Sequence, residues 1–203
     1  MAFPYISREF PLILASASPR RRELLAGMGI PFRPVTSRIS EWGSSKDPSM
    51  ESCYLAEKKA IAVFSAGQSL WVLGADTIVF IEGKMLGKPK DRKEAKSMLL
   101  LLKGTVHSVV TGFCILDPSG NIAHREAVYT AVKFRDLNKE EIEAYIDTGE
   151  PFDKAGGYAI QGIGAFMVES ISGSYTNVVG LPICALVKAL VSVGALEKFP
   201  FKL

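Results

Sequence analysis

Residues 12–29, Leu-Ile-Leu-Ala-Ser-Ala-Ser-Pro-Arg-Arg-Arg-Glu-Leu-Leu-Ala-Gly-Met-Gly, constrain the fold more than any other stretch. The apolar run 12–15 reads as a short buried strand, and the small residues Ser16 and Ala17 turn it. Ser18 stands where a helix N-cap belongs, with Pro19 at the first helical position. Leu24, Leu25 and Met28 supply an apolar face, and Gly29 is placed to stop the helix. Arg20, Arg21 and Arg22 fill the first turn, where exposed cations oppose the helix dipole by roughly 0.3–1 kcal/mol each. A strand-to-helix turn with free N–H groups, serine hydroxyls and clustered guanidiniums is a receptor for phosphate. Three solvated arginines on a surface helix account for the segment equally well.

The rest of the chain alternates helical and hairpin patterns. Residues 31–39 look extended, and 44–48 form a polar loop. A helix is expected over 49–66, with Leu55, Ala56, Ala60, Val63 and Phe64 inside and Gly67 after it. Residues 70–81 read as a strand that turns at Glu82-Gly83-Lys84 into Met85-Leu86. Asp91 caps a helix to Lys103. Two β-rich runs, 105–116 and 122–134, flank the turn Asp117-Pro118-Ser119-Gly120-Asn121. Asn138 and Glu141 make a capping-box pair for a helix ending at Gly149. A glycine-rich segment, a strand over 165–171, a polar loop over 173–180 and a final helix opened by Pro182 complete the reading. Hairpins among helices imply an α/β fold with a mixed sheet.

Composition narrows the class. With 203 residues there is enough chain for one sizeable domain or two small lobes. A net charge of +3 without a long basic tract argues against nucleic-acid binding. Cys53, Cys114 and Cys184 lie far apart in no zinc-binding spacing, so they read as reduced, buried thiols of a cytoplasmic protein. Arg8 and Glu9 interrupt the N-terminal segment, which is not expected to be a signal peptide. The apolar run 181–196 is too short to span a bilayer, so no membrane association is expected.

Asp76 is the most informative single residue. It lies in an otherwise apolar strand, where an ionised carboxylate is expensive unless paired or bound to metal. A strand-end aspartate capping a turn is the plainer alternative. Lys88 and Glu41 are the charged groups the sequence offers around it. The stretch 83–89 imitates a phosphate-binding Walker loop. Its glycine spacing is one short, and Pro89 stands where Ser or Thr should hold magnesium, so that reading is rejected. In residues 150–162, paired glycines permit close approach to a ligand, and Gln161 can both donate and accept hydrogen bonds to a base edge. A glycine-rich hairpin with an exposed glutamine is the alternative. His107 and His124 are taken as structural or surface residues, and with no Ser/His or Cys/His pair a covalent mechanism is disfavoured. Carboxylates, cations and an amide on glycine-rich turns suit metal-assisted attack of water on a phosphate ester.

Five blocks, 15–21, 74–77, 87–89, 153–162 and 177–182, occur in the order found in the Maf family, and together the chain resembles that family over about residues 12–193. Maf proteins are nucleoside triphosphate pyrophosphatases first described as septum-formation inhibitors. The resemblance implies an α/β fold with an elongated mixed β-sheet flanked by helices, one domain over residues 1–203 with two lobes around a deep cleft. It implies hydrolysis of dTTP or UTP to the monophosphate and pyrophosphate, with a divalent metal cation, magnesium or manganese. Asp76 matches the catalytic carboxylate, which also meets the metal, and Glu41 matches a carboxylate near the metal. Ser16, Arg21, Lys59 and Lys88 match groups that hold the triphosphate. Arg20, Thr77 and Gln161 match positions that separate a dTTP/UTP subgroup from a 7-methyl-GTP subgroup, in which Trp replaces the arginine and a Ser-Glu-like pair replaces Ile160-Gln161. Arg38 and Ser40 stand where the family often has further acidic residues before Glu41. A nucleotide-binding regulator of cell division with incidental hydrolysis is the alternative function, and a homodimer is a possible assembly.

Overall fold

The computed structural model describes residues 3–37, 39, 45–65 and 69–200. In chain order the elements are β1 (Leu12–Ala15), α1 (Pro19–Gly27), β2 (Phe32–Pro34), α2 (Pro48–Val63), β3 (Val72–Ile81) and β4 (Lys84–Leu86). Then follow α3 (Arg92–Leu102), β5 (Val106–Leu116), β6 (Ile122–Phe134), α4 (Lys139–Asp147), β7 (Val168–Ser172), α5 (Tyr175–Val179) and α6 (Ile183–Ser192). The strands make one seven-stranded mixed sheet of order β2-β1-β3-β5-β6-β7, with β4 added to β3. β1 pairs in parallel with both β2 and β3, whereas β3–β4 and β6–β7 are antiparallel. The mixed α/β architecture expected from the sequence is present.

The chain divides into two compact units. The first comprises Met1–Asp76, Thr111–Val128 and Gly180–Leu203; the second comprises Thr77–Val110 and Tyr129–Val179. Strands β3, β5 and β6 contribute residues to both.

In the first unit the strands are covered on both faces, which is why residues 12–15 are apolar without alternation. Leu12 and Leu14 of β1, Leu73 and Ala75 of β3, and Phe113 and Ile115 of β5 pack with Leu25 of α1 and Leu186 and Leu190 of α6. The intervening residues Ile13, Ala15, Val72 and Cys114 face the other way, onto Ala56 and Ala60 of α2. Period-2 alternation therefore puts Val72, Gly74 and Asp76 on the α2 side of β3. Gly74 and Gly112 let α2 lie directly on the strands. A Cβ at 74 would sit 2.0 Å from the Ala56 carbonyl oxygen, and one at 112 would sit 2.4 Å from the Cys53 nitrogen.

The core of the second unit joins Val79 and Ile81 of β3, Val132 and Phe134 of β6, Leu99 and Leu102 of α3, and Ile142 and Ile146 of α4. The hairpin from β3 to β4 turns through Glu82 and Gly83, both at positive φ. Asn138 and Glu141 form the expected capping box, and Asp91 caps α3 through the Glu94 N–H.

Several boundaries differ from the sequence reading. Helix α2 begins at Pro48, because the Asp47 carboxylate, and not a later residue, accepts from the Ser49 and Met50 N–H groups. It ends at Val63, and the expected stop at Gly67 lies outside the described residues. Ser18 occupies the N-cap position of α1, yet its hydroxyl makes no cap bond; its own N–H donates to Ser16 Oγ instead. β7 starts at Val168, because Ile163–Met167 winds into a 3-10 turn. The polar loop expected over 173–180 contains the short helix α5, whose Asn177 N–H donates to Ser174 Oγ. Of the three thiols only Cys114 is buried; Cys53 is half-buried and Cys184 exposed.

Candidate active site

The parallel register pairs Ala15 with Gly74, so Ser16 and Asp76 lie just beyond the last paired positions of β1 and β3. The region past the carboxyl ends of parallel strands is where α/β sheets place ligands. Asp76 follows Gly74 by two residues and faces α2. Lys59 follows Ala56 on that helix by nearly one turn. Its ammonium therefore reaches the Asp76 carboxylate, with Nζ 2.5 Å from Oδ1 and both side chains largely buried. The carboxylate in a greasy strand has a partner in Lys59, a cation that the sequence reading did not set beside it.

Ser16 Oγ is buried and accepts from the Ser18 N–H at 3.2 Å and from Arg21 Nη1 at 3.2 Å. Arg21 is buried as well, and its Nε donates to the Gly180 carbonyl at 2.7 Å. That carbonyl opens the segment leading into α6, so the guanidinium is held by both Gly180 and Ser16. Arg20 is half-buried on the same helical turn. The first unit thus holds Ser16 and Asp76 where the pairing of β1 with β3 stops, with Arg21 bonded to Ser16 and Lys59 paired with Asp76.

In the second unit Thr77 is half-buried where β3 enters it, and Lys88 is exposed just after β4. The Gly87 carbonyl accepts from the Gly156 N–H at 2.9 Å. Gly156 and Gly157 both adopt positive φ, and a Cβ on Gly156 would lie 2.9 Å from Val79 Cγ2. The close approach anticipated for these paired glycines is thus to the protein's own strand and hairpin. Lys154 folds back on Asp153 Oδ1 at 2.5 Å and the Glu150 carbonyl at 2.8 Å. Gln161 is exposed, and beside it the Glu150 carboxylate accepts the Gly164 N–H at 3.2 Å. Glu41 lies outside the described residues.

Sequence reasoning did not foresee the His107–Tyr158 pair, with Nε2 and the phenol oxygen 2.8 Å apart. Nor did it give Gly74 and Gly112 their packing role; isolated glycines inside strands were the available signal. Burial pushes the Cys114 thiol up to about 12 and raises that of Cys53, so neither is a ready nucleophile. Among the described residues no three His, Cys, Asp or Glu side chains converge as a ready metal cage. Magnesium needs less, since one or two carboxylates and substrate phosphates commonly hold it, and Asp76 is a hard oxygen donor of the right kind.

A family model described as "Maf-like protein" matches residues 11–193. The chain belongs to the Maf family. Its relatives in that family include a protein of Citrifermentans bemidjiense named dTTP/UTP pyrophosphatase, 53% identical over 186 residues, or 91% of this chain and 96% of the relative. A protein of Thermoanaerobacter sp. strain X514 with the same name is 50% identical over 86% of this Maf chain and 92% of its own length. Among solved structures, the crystal structure of a nucleoside-triphosphatase / dITP/XTP pyrophosphatase from Mycobacterium abscessus covers 63% of this chain and 76% of that one. Its TM-score is 0.39 at 12% identity. No described helix of this Maf protein is long and apolar enough to cross a membrane.

Proposed function

We propose that this Maf protein is a nucleoside triphosphate pyrophosphatase acting on dTTP and UTP, releasing the nucleoside monophosphate and pyrophosphate. The observation that carries the reading is the ion pair of Asp76 with Lys59, set on the α2 face of β3 beside the arginine-bearing turn. The names of the relatives, at about half identity over nearly the whole chain, support the same activity and pyrimidine substrates.

In this reading water attacks the α-phosphorus in line with the bond to the bridging oxygen. That bond breaks, pyrophosphate leaves, and the water proton passes to the Asp76 carboxylate, an acceptor-only group when ionised. Lys59 orients the carboxylate and neutralises charge accumulating on the phosphate oxygens. Arg21, fixed by Ser16 and Gly180, presents a guanidinium that needs no reordering as charge develops. Arg20 and Lys88 supply further cations to the phosphates, and Thr77 and Gln161 hydrogen-bond the nucleoside. A divalent cation, magnesium or manganese, held by Asp76 with Glu41 as a second oxygen donor, would polarise the phosphate and neutralise its charge. The protein is read as acting in the cytoplasm on free nucleotides.

Incubation with dTTP and magnesium followed by product identification tests the reading. dTMP and pyrophosphate are expected, with Asp76→Asn losing most of the rate. Release of orthophosphate would overturn the α-phosphorus assignment. Nucleotide binding without turnover, under magnesium and manganese alike, would favour a binding regulator instead.

A further inference from the structure

The reaction as read above makes no use of His107. This residue of β5 is 3% exposed, and its Nε2 lies 2.8 Å from the Tyr158 hydroxyl. Tyr158 is buried too, its ring edge-on to Phe134 at 4.6 Å, while His107 meets Phe134 edge-on at 5.0 Å. The other imidazole nitrogen, Nδ1, has no hydrogen-bond partner among the described residues.

Counting hydrogens gives the direction of the bond. If the phenol donates to Nε2, only the Nδ1 hydrogen is left over. If Nε2–H donates, both the phenol hydrogen and the Nδ1 lone pair are left over. The first arrangement strands fewer groups, so Tyr158 donates. Burial keeps the imidazole neutral, as that bond requires, by pushing its pKa down to about 4. A leucine and a phenylalanine would fill the same space and strand nothing. What the polar pair adds over them is a fixed position for the phenol oxygen.

That position is passed along the backbone. Tyr158 directly follows Gly156 and Gly157, with φ of 70° and 71°. The Gly156 N–H donates to the Gly87 carbonyl, and Gly87 precedes Lys88. The double-glycine turn is therefore pinned at one end to the Lys88 segment and at the other to the buried imidazole.

We propose that His107 and Tyr158 are positioning residues for nucleotide hydrolysis, their hydrogen bond fixing the double-glycine turn against Gly87 and so holding Lys88 in place for a phosphate oxygen. The inference rests on the phosphate role given to Lys88 above. Neither side chain needs to touch the substrate.

Tyr158→Phe keeps the ring and deletes the donated hydrogen. With dTTP and magnesium it is expected to raise KM about fivefold or more while kcat stays within about threefold, because the lost contact is one of ground-state placement. His107→Gln retains a carbonyl acceptor and should stay within about twofold of the wild-type KM, whereas His107→Leu should match Tyr158→Phe. A purely structural role would lower the thermal midpoint and leave the KM of the folded protein unchanged, which would overturn the proposal. Should Tyr158→Phe fail to fold, the glutamine and leucine variants of His107 carry the comparison.

Sodium tripolyphosphate, titrated calorimetrically, separates this inference from the functional reading beneath it. Its affinity should weaken in Tyr158→Phe and His107→Leu in step with KM, and equal affinity in all variants overturns the anchor. A wild type that binds tripolyphosphate but hydrolyses neither dTTP nor UTP sinks the functional reading, and the calorimetric comparison still decides the anchor. A wild type that does neither overturns both.

Discussion

The Ala56 carbonyl of α2 passes so close over Gly74 of β3 that a Cβ on residue 74 would sit 2.0 Å from its oxygen. Backbone meets backbone here, so no side chain can swing aside to make room. This contact lowers α2 onto the sheet far enough for Lys59, three residues beyond Ala56, to meet Asp76, two residues beyond Gly74.

Gly74→Ala is therefore expected to destabilise the protein by about 3 kcal/mol or more, at the upper end of overpacking costs. Urea unfolding followed by circular dichroism checks it. An unchanged midpoint would mean that α2 sits less tightly than the geometry requires.

The Lys59–Asp76 pair separates a stability effect from a catalytic one. Removing one partner of a buried ion pair leaves the other uncompensated, so Lys59→Met should cost about 3–5 kcal/mol. Asp76→Asn should lower the hydrolysis rate by about 10²–10⁴-fold, the usual worth of a positioned general base. The double variant Lys59→Met/Asp76→Asn is expected to recover part of the stability and none of the activity. Recovery of activity in the double variant would remove Asp76 from the chemistry.

His107 makes stability depend on pH in a stated direction. Burial lowers its pKa from 6.5 to about 4, so the unfolded chain takes up the proton first as pH falls. Its contribution is complete above pH 6.5 and is lost progressively as the pH falls towards 4, to a total of about 3 kcal/mol. Unfolding midpoints measured from pH 7 to 4.5 should fall more steeply for the wild type than for His107→Gln. Parallel curves would refute the assignment.

Gln161 offers donors as well as an acceptor, whereas a glutamate at that position, once ionised, only accepts. Gln161→Glu is expected to lower kcat/KM for dTTP and UTP by about ten- to a hundredfold, the worth of one or two unsatisfied polar contacts. A nucleotide panel including 7-methyl-GTP checks both the loss and any shift toward a purine. Undiminished pyrimidine turnover would take Gln161 out of base recognition.

Local features were legible wherever neighbouring residues determine their own structure. The run 12–15 followed by Ser-Pro, the Asn138–Glu141 capping box and the Glu82-Gly83 turn each carry their cause within a few residues, and each appears where expected. The boundaries that moved did so where two local candidates competed. Asp47 took the cap of α2 ahead of the serines around it, and Ser174 started α5 inside what read as a loop. That Asp76 needs a partner follows from its apolar surroundings, since an ionised carboxylate is costly away from water.

Which partner it takes does not follow from the chain order. Lys59 lies on a helix 17 positions earlier, and only the seating of α2 over Gly74 and Gly112 brings it to the carboxylate rather than to solvent. Arg21 finds the Gly180 carbonyl 159 residues away, and His107 finds Tyr158 at a separation of 51. The sequence by itself determined the alternation of strands and helices, their caps and turns, and the kinds of chemical group on offer, because periodicity, backbone preference and the cost of burial act over short stretches. Tertiary structure alone decided which cation neutralises which acid and which buried hydrogen bond pins which turn. Those choices depend on how closely two backbones can approach, and that distance is set by packing among residues remote in the chain.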